Sequence, residues 1–411
     1  MTHSDQMLQT VAEAYVRCAL GVGLHDADYV DAYHGPPSWN DEVAHEHPVL
    51  DELQRRARSL IAELEATPSV ESEGILLQRH RYLLTQLRAM AARIDFLLGR
   101  RLPFDQESRL VYDAVAPAHE TEHFDATLTE LSALLPGPGS VQSRYERFRS
   151  AFMIPADRVD RVFRAAIEEA RRRTRTRIGL PEEESFQLEY VTGKSWSGYN
   201  WYKGESHSLI QINTDFPISI DRAVDLASHE GYPGHHVYNT LMEQTLLRAR
   251  GWMEFSVYAL FSPQSLVAEG TANFGIAMAF PGPERVTFER EVLFPAAGLD
   301  PAQAEHYYRV HDIVQKLSYA GNEAARRYLD GSMTRDEAAG WLERYALMSP
   351  ERAQQRTRFF DQYRSYVINY NLGQDIVGRY IELKSGADPE KRWQVFTTLL
   401  TTPQVPSALV A

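Results

Sequence analysis

The chain has 411 residues, 44% of them apolar and 24% charged, an ordinary globular composition that is ample for one large domain or two smaller ones. With 43 lysines and arginines against 56 aspartates and glutamates, the net charge of -13 disfavours nucleic acid and anionic membrane surfaces as partners. Cys18 is the only cysteine, which excludes an intrachain disulfide and a cysteine-rich metal site.

The amino terminus, Met1-Thr2-His3-Ser4-Asp5-Gln6, lacks the basic stretch and apolar run of a secretion signal. No segment approaches the roughly 20 apolar residues that a membrane helix needs. These features, with the lone cysteine, lead us to expect a cytoplasmic protein without a membrane partner. The first 180 residues read as helices joined by short polar loops. Leu76, Leu83, Leu84, Leu87, Met90, Ile94, Leu97 and Leu98 recur at three- and four-residue steps, a helical stripe. Pro103 and then Pro136-Gly137-Pro138-Gly139 punctuate this half. Ala156 to Arg177 predicts a strongly charged amphipathic helix, whose run Arg171-Arg172-Arg173 reads as a solvated face rather than an anion site. His119-Glu120-Thr121-Glu122-His123 matches the short string of zinc-peptidase helices. Yet Glu122 puts a charge where such a helix faces a core, and Pro117 stands just before it, so an acidic helix start is the better reading.

The pattern changes near residue 186. Phe186 to Val191, Tyr199 to Lys203 and Ser208 to Asn213 are short β-branched or aromatic runs, separated by Gly193, Gly198 and Gly204. They predict a small antiparallel sheet. Its clearest strand, Leu209 to Asn213, could hold an extended peptide by strand addition, with Ile210, Gln211 and Asn213 touching substrate; a structural hairpin over the core is the competing reading. Asp221 is placed to cap a helix running into His229. From there the chain reads as helical to its end, broken at Pro263, Pro281-Gly282-Pro283, Pro301, Gly331 and Pro350. The fold class is therefore mainly α, with a small antiparallel sheet before the helix that carries His229. An amino-terminal helical region (1–180) and a catalytic region (181–411) meet at a soft boundary; one helical domain with an inserted sheet fits equally.

The segment His229-Glu230-Gly231-Tyr232-Pro233-Gly234-His235-His236 carries the chemistry. Zinc peptidases place two histidines one turn apart on a helix, with a glutamate beside the first as general base. Here the position one turn on is Pro233. On a straight helix His235 would face away from His229, and His236 would share its face but lie about 10 Å further along the axis. Proline cannot donate to the carbonyl four residues back and its ring clashes there, so the helix should bulge or kink between the histidines. Such a break could swing His235 back to a metal, with His236 as the close alternative. Glu269, an acid inside the apolar stretch Leu266 to Asn273, is costly to bury without a partner, and a metal ion is such a partner. Asn273, one turn later, could hydrogen-bond a ligand histidine from behind. A lone His229 would read as a satisfied core histidine; the His-Glu pair, the double histidine and the later acid together point to a metal.

At these residues the chain resembles the bacterial domain-of-unknown-function family 885. Its hallmark, His-Glu-x-x-Pro-Gly-His-His, stands here as His229 to His236, and its later Glu-Gly-x-Ala element as Glu269-Gly270-Thr271-Ala272. The strand Ile210-Gln211-Ile212-Asn213 and the segment Tyr370-Asn371-Leu372-Gly373 are also similar, so the resemblance spans about residues 185 to 375. It implies a large helical fold related to the gluzincin metallopeptidases, with a central cleft. It supports His229, Glu230, His235 or His236, and Glu269 as site residues, and supplies no substrate.

The expected function is zinc-dependent hydrolysis of a peptide or other small amide. One Zn2+ would lower the pKa of its water to about 7. Glu230 would take that proton and pass it to the leaving amine. Tyr370 is the first candidate to stabilise the oxyanion, with Arg364 and Tyr366 behind it. His306 and His311 read as surface histidines. Two other readings stand beside this one. Two histidines and a carboxylate also suit iron, manganese or nickel in a non-hydrolytic metalloprotein. A non-catalytic peptide-binding protein on a peptidase scaffold is the other, although retention of Glu230 argues against it.

Overall fold

Residues 3–67, 74–194 and 196–410 are described by the structure, a computed structural model. Met1 and Thr2 lie outside them. Helix α1 (His3–Gly23) buries Val11, Tyr15, Ala19 and Val22, spaced three and four apart. Strand β1 (Val30–Tyr33) follows. Helix α2 (Ile75–Leu97) carries the stripe expected from residue 76 onward and buries Leu83, Leu87, Met90 and Ile94 completely. From α2, the fully buried Arg79 donates to Glu254 (Nε–Oε1 2.6 Å), which ties the amino-terminal helices to the turn at Met253–Ser256.

Helix α3 (Val159–Arg175) is the charged amphipathic helix. Its arginine run is neutralised internally: Arg171 binds Glu184, and Arg172 and Arg173 bind Glu169. Strands β2 (Ser185–Val191), β3 (Gly198–Gly204) and β4 (His207–Asn213) fall where the aromatic and β-branched runs stand. Their order is β2-β4-β3, with β4 antiparallel to β3 but parallel to β2. The sheet is therefore mixed rather than antiparallel. Strand β4 is central, and its backbone is paired on both sides. A peptide cannot add to it, which overturns the expected substrate role of Ile210, Gln211 and Asn213. Ile210 is buried, Gln211 accepts from Trp201 Nε1, and Asn213 donates to the carbonyls of Lys194 and Trp196.

Helix α4 (Asp221–Leu226) begins at Asp221, but Asp221 does not cap it; its carboxylate accepts from Tyr307 (2.6 Å). After α4 come helix α5 (His235–Met242) and strand β5 (Val257–Ala259), which pairs antiparallel with β1. Helix α6 (Pro263–Ala279) is apolar almost all round and is buried accordingly. Helices α7 (Pro350–Tyr363) and α8 (Ile368–Ser385) complete the surroundings of the site. Helices α6 and α8 cross at Gly270 and Gly373: a Cβ on Gly270 would lie 2.5 Å from the Gly373 carbonyl oxygen. Only glycine permits that approach. One core of buried side chains runs from Leu8 to Leu409 and crosses residue 180 without interruption. Among the described residues no helix is long and apolar enough to cross a membrane.

Candidate metal centre

The break between the histidines has a definite form. Helix α4 continues into a wide π-helical turn, Ala227–Gly231, which carries His229 and Glu230. Tyr232 is extended, the Tyr232–Pro233 peptide is cis, and Gly234 precedes the new helix α5. Gly234 N–H donates to the Ser228 carbonyl (2.9 Å), folding the chain back on itself. A Cβ at Gly234 would stand 1.9 Å from the His229 carbonyl oxygen, so this return is closed to any other residue. Gly275 of α6 leaves room for the Pro233 ring, whose Cγ would lie 3.2 Å from a Cβ there.

The return brings His235 Nε2 to 3.1 Å from His229 Nε2. Glu269 of α6 completes the set, with Oε2 3.4 Å from His229 Nε2 and Oε1 3.8 Å from His235 Nε2. Behind His229, Asn273 donates from Nδ2 to the Tyr370 carbonyl (3.1 Å). Its Oδ1 therefore faces His229 Nδ1 (3.1 Å) as an acceptor. His229 must carry its proton on Nδ1, which leaves Nε2 a bare lone pair pointing at His235 and Glu269. Tyr366 donates to Glu269 Oε1 (3.0 Å), whereas Glu269 Oε2 is buried without a hydrogen-bond partner.

These groups fit a cation. Two imidazole nitrogens and a carboxylate oxygen converge, and burial keeps both imidazoles from taking up a second proton. Burial and then the Arg222 charge, with Asn273 opposing, lower His229 to about 4. Burial and then His229 hold His235 well below its ordinary value. Burial raises Glu269 to about 7 against the Tyr366 hydrogen bond. Tetrahedral ligands at bonds of about 2.0–2.2 Å stand roughly 3.3–3.6 Å apart, close to the spacings above. Glu230 lies alongside, Oε1 4.0 Å from His229 Nε2, and burial and then Glu269 raise it to about 8. Its carbonyl accepts from Asn200 of β3 (2.7 Å), and Gly198 brings the β3 backbone against its side chain.

Two expected site residues are committed elsewhere. His236 is fully buried, with Nδ1 2.8 Å from Ser208 Oγ and Nε2 3.1 Å from Glu184 Oε2. It points away from His235 because consecutive helical residues diverge by about 100°. Arg364 donates to Glu107 (2.6 Å) and lies against Phe96, so its guanidinium does not serve the site. Tyr370 sits within electrostatic reach of Glu269 and Glu230, and burial keeps its phenol protonated. Tyr366 binds a prospective ligand instead of an oxyanion. His306 packs against Phe148 and His311 faces Asp221. His119 and His123 stack on each other, 4.7 Å between ring centroids, and no acid joins them in a metal-sized group among the described residues.

Sequence reasoning missed three participants. Asp31 of β1 accepts from Tyr199, and its charge raises Glu269 further. Strand β1 is too short to show a period, so nothing local singled it out. Glu184 anchors His236 and Tyr232 (Tyr232 Oη–Oε2 2.6 Å) from just before β2. A second metal-sized group, Asp221, Asp225 and His311, is also present. Its charge is already met: Arg285 binds Asp225 (2.8 Å), Arg222 binds Asp225 (3.2 Å) and Tyr307 binds Asp221.

No family model and no curated protein matches the chain. Solved structures do. A protein of Colwellia psychrerythraea provisionally named a lipoprotein is 13% identical, with a TM-score of 0.56 over 87% of this chain and 65% of its own. A protein of Shewanella oneidensis, provisionally named a lipoprotein of unknown function, is 12% identical, with a TM-score of 0.50 over 90% of this chain and 75% of its own. An M32 carboxypeptidase of Deinococcus radiodurans is 13% identical, with a TM-score of 0.36 over 97% of this chain and 89% of its own. At these identities the first two likenesses concern the fold alone. This chain spans just under two thirds of the length of the Colwellia protein.

Proposed function

We propose that this chain is a zinc-dependent hydrolase of peptide-like amides, akin to the gluzincin metallopeptidases and to the bacterial domain-of-unknown-function family 885. The observation that carries the reading is the meeting of two imidazole Nε2 atoms with an orphaned carboxylate oxygen beside Glu230. His229, His235 and Glu269 would hold the ion. When bound, such an ion acts as a Lewis acid toward a carbonyl and acidifies water.

The remaining work falls to the chain. Glu230 takes a proton from the attacking water and delivers it to the departing nitrogen as the C–N bond breaks and a C–O bond forms. Asn273 fixes the His229 tautomer, and Tyr366 fixes one oxygen of Glu269. Tyr370 is the donor available to the developing oxyanion. A cytoplasmic setting, expected from the lone cysteine, is part of this proposal; the lipoprotein names belong to the structural neighbours.

Elemental analysis of purified protein and a peptide-library digest read by mass spectrometry test this reading. About one zinc per chain is expected. Glu230→Gln should keep the metal and slow cleavage by about 10²–10⁴-fold. Absence of stoichiometric metal, or an unchanged rate in Glu230→Gln, defeats the reading.

A further inference from the structure

Several buried or half-buried arginines are paired with acids: Arg79 with Glu254, Arg93 with Asp26, Arg285 with Asp225 and Glu289, Arg326 with Glu323 and Arg364 with Glu107. Arg352 and Arg356, one turn apart on α7, are not. Both are half-buried, and among the described residues neither guanidinium has a carboxylate within ion-pair distance. They are held by rings instead. Arg356 Cζ lies 4.3 Å from the Phe359 ring and 5.8 Å from the Tyr370 ring, and Arg352 Cζ lies 4.7 Å from the Phe216 ring.

The placement of these rings matters. Tyr370 gives its carbonyl to Asn273, which holds His229, and it feels the charges of Glu230 and Glu269. Phe216 stands on the segment leading into α4, the helix that carries Arg222 and then His229. Arg356 thus reaches the Tyr370 side of the candidate metal centre from α7, and Arg352 reaches the Phe216 segment that leads into α4. Burial lowers both arginines, and for Arg352 the like charges of Arg149 and Arg222 add to the effect. A chain with 56 acids has left these cations without one, although unpaired buried charge is costly.

We propose that Arg356 and Arg352 receive a carboxylate of the substrate, so that the amide cleaved at this site belongs to a peptide bearing a negative charge close to the scissile bond. Guanidinium groups bind carboxylates through paired charged hydrogen bonds, and aromatic rings beneath them fix the plane of the fork. The carboxylate is either the free end of the peptide or an acidic side chain. This inference rests on the hydrolase reading above.

The test compares one short peptide in three forms with the zinc-loaded protein: free at its carboxyl end, amidated there, and amidated with glutamate as its last residue. A cleavage preference of about tenfold to a hundredfold for a charged form over the uncharged amide is expected. Preference for the first form alone identifies the terminal carboxylate; preference for the third as well identifies a side-chain carboxylate. Arg356→Gln and Arg352→Gln should collapse that ratio toward one, mainly through KM, while Arg356→Lys keeps part of it. Equal cleavage of all three forms, or a ratio that survives both glutamine variants in folded protein, overturns the inference and leaves the hydrolase reading standing. If no form is cleaved, the hydrolase reading fails. The same peptides titrated calorimetrically into zinc-loaded protein then decide the arginine–carboxylate contact by itself: an arginine-dependent preference for the charged forms upholds that contact, and equal affinities overturn it.

Discussion

Glu269→Gln separates a metal ligand from a structural acid, because the two roles predict opposite signs. In the metal-free protein Glu269 is a burden. Its folded pKa of about 7 lies above the ordinary 4.5 because it is buried. As pH rises from about 4.5 the unfolded chain releases this proton first, so folding loses stability until about pH 7, beyond which the cost is complete. That gap corresponds to at most about 3 kcal/mol at pH 8. Glutamine removes the charge, still accepts from Tyr366, and places an amide N–H where Oε2 now faces the bare His229 Nε2 at 3.4 Å. The metal-free variant should therefore exceed wild type by about 1–3 kcal/mol at pH 8, with no gain near pH 4. Zinc reverses the order, since the variant has lost its anionic ligand; we expect its affinity to fall more than a hundredfold, on the order of 3 kcal/mol. Urea unfolding at the two pH values, with chelator and with zinc, measures all four quantities. A metal-free variant less stable than wild type at pH 8, or equal stabilisation of both proteins by zinc, would refute the argument.

Three further outcomes follow from the surroundings. His236→Gln should cost about 1–3 kcal/mol, because Glu184 and Ser208 lose a buried partner, yet the protein should still bind one zinc, as elemental analysis will show. In the same region burial pulls Glu184 upward, but hydrogen bonds from His236, Tyr232 and Arg171 outweigh it and hold the carboxyl at about 2. Its contribution is therefore present above about pH 4.5 and lost as pH falls toward 2, so Glu184→Gln should cost stability at pH 7 and little near pH 2 in unfolding titrations. Gly373→Ala should force α6 and α8 apart, since its Cβ would lie 2.7 Å from the Leu266 carbonyl oxygen. A loss of about 1–3 kcal/mol is expected in thermal melts, with weaker zinc binding because Tyr366 and Tyr370 ride on the displaced segment.

The motif was legible in the sequence because its chemistry is written in residue types that burial otherwise discourages. A His-Glu pair interrupted by Pro233 forbids a continuous helix, and an acid in the apolar stretch around residue 269 demands a partner. The helical stripe from residue 76, the charged helix from residue 156 and the three short strands were equally readable, since each is a local period of apolar or aromatic residues. Strand order was not. Nothing local distinguishes the central strand of three from an edge, so the assignment of Ile210, Gln211 and Asn213 to substrate failed. Arg364 misled for a related reason: its partner Glu107 lies 257 residues away, and a guanidinium looks the same in sequence whether it is paired or free.

The amino-acid sequence by itself determined which residues could converge on a cation and that the backbone must break between them, because proline chemistry and the cost of buried charge act within a few residues. Only the tertiary structure decided that His235 rather than His236 makes the return, that Glu269 keeps one oxygen without a hydrogen-bond partner, and that Arg356 stands beside Tyr370 without a carboxylate. Each of these depends on which side chain from a distant element arrives first, and packing alone settles that.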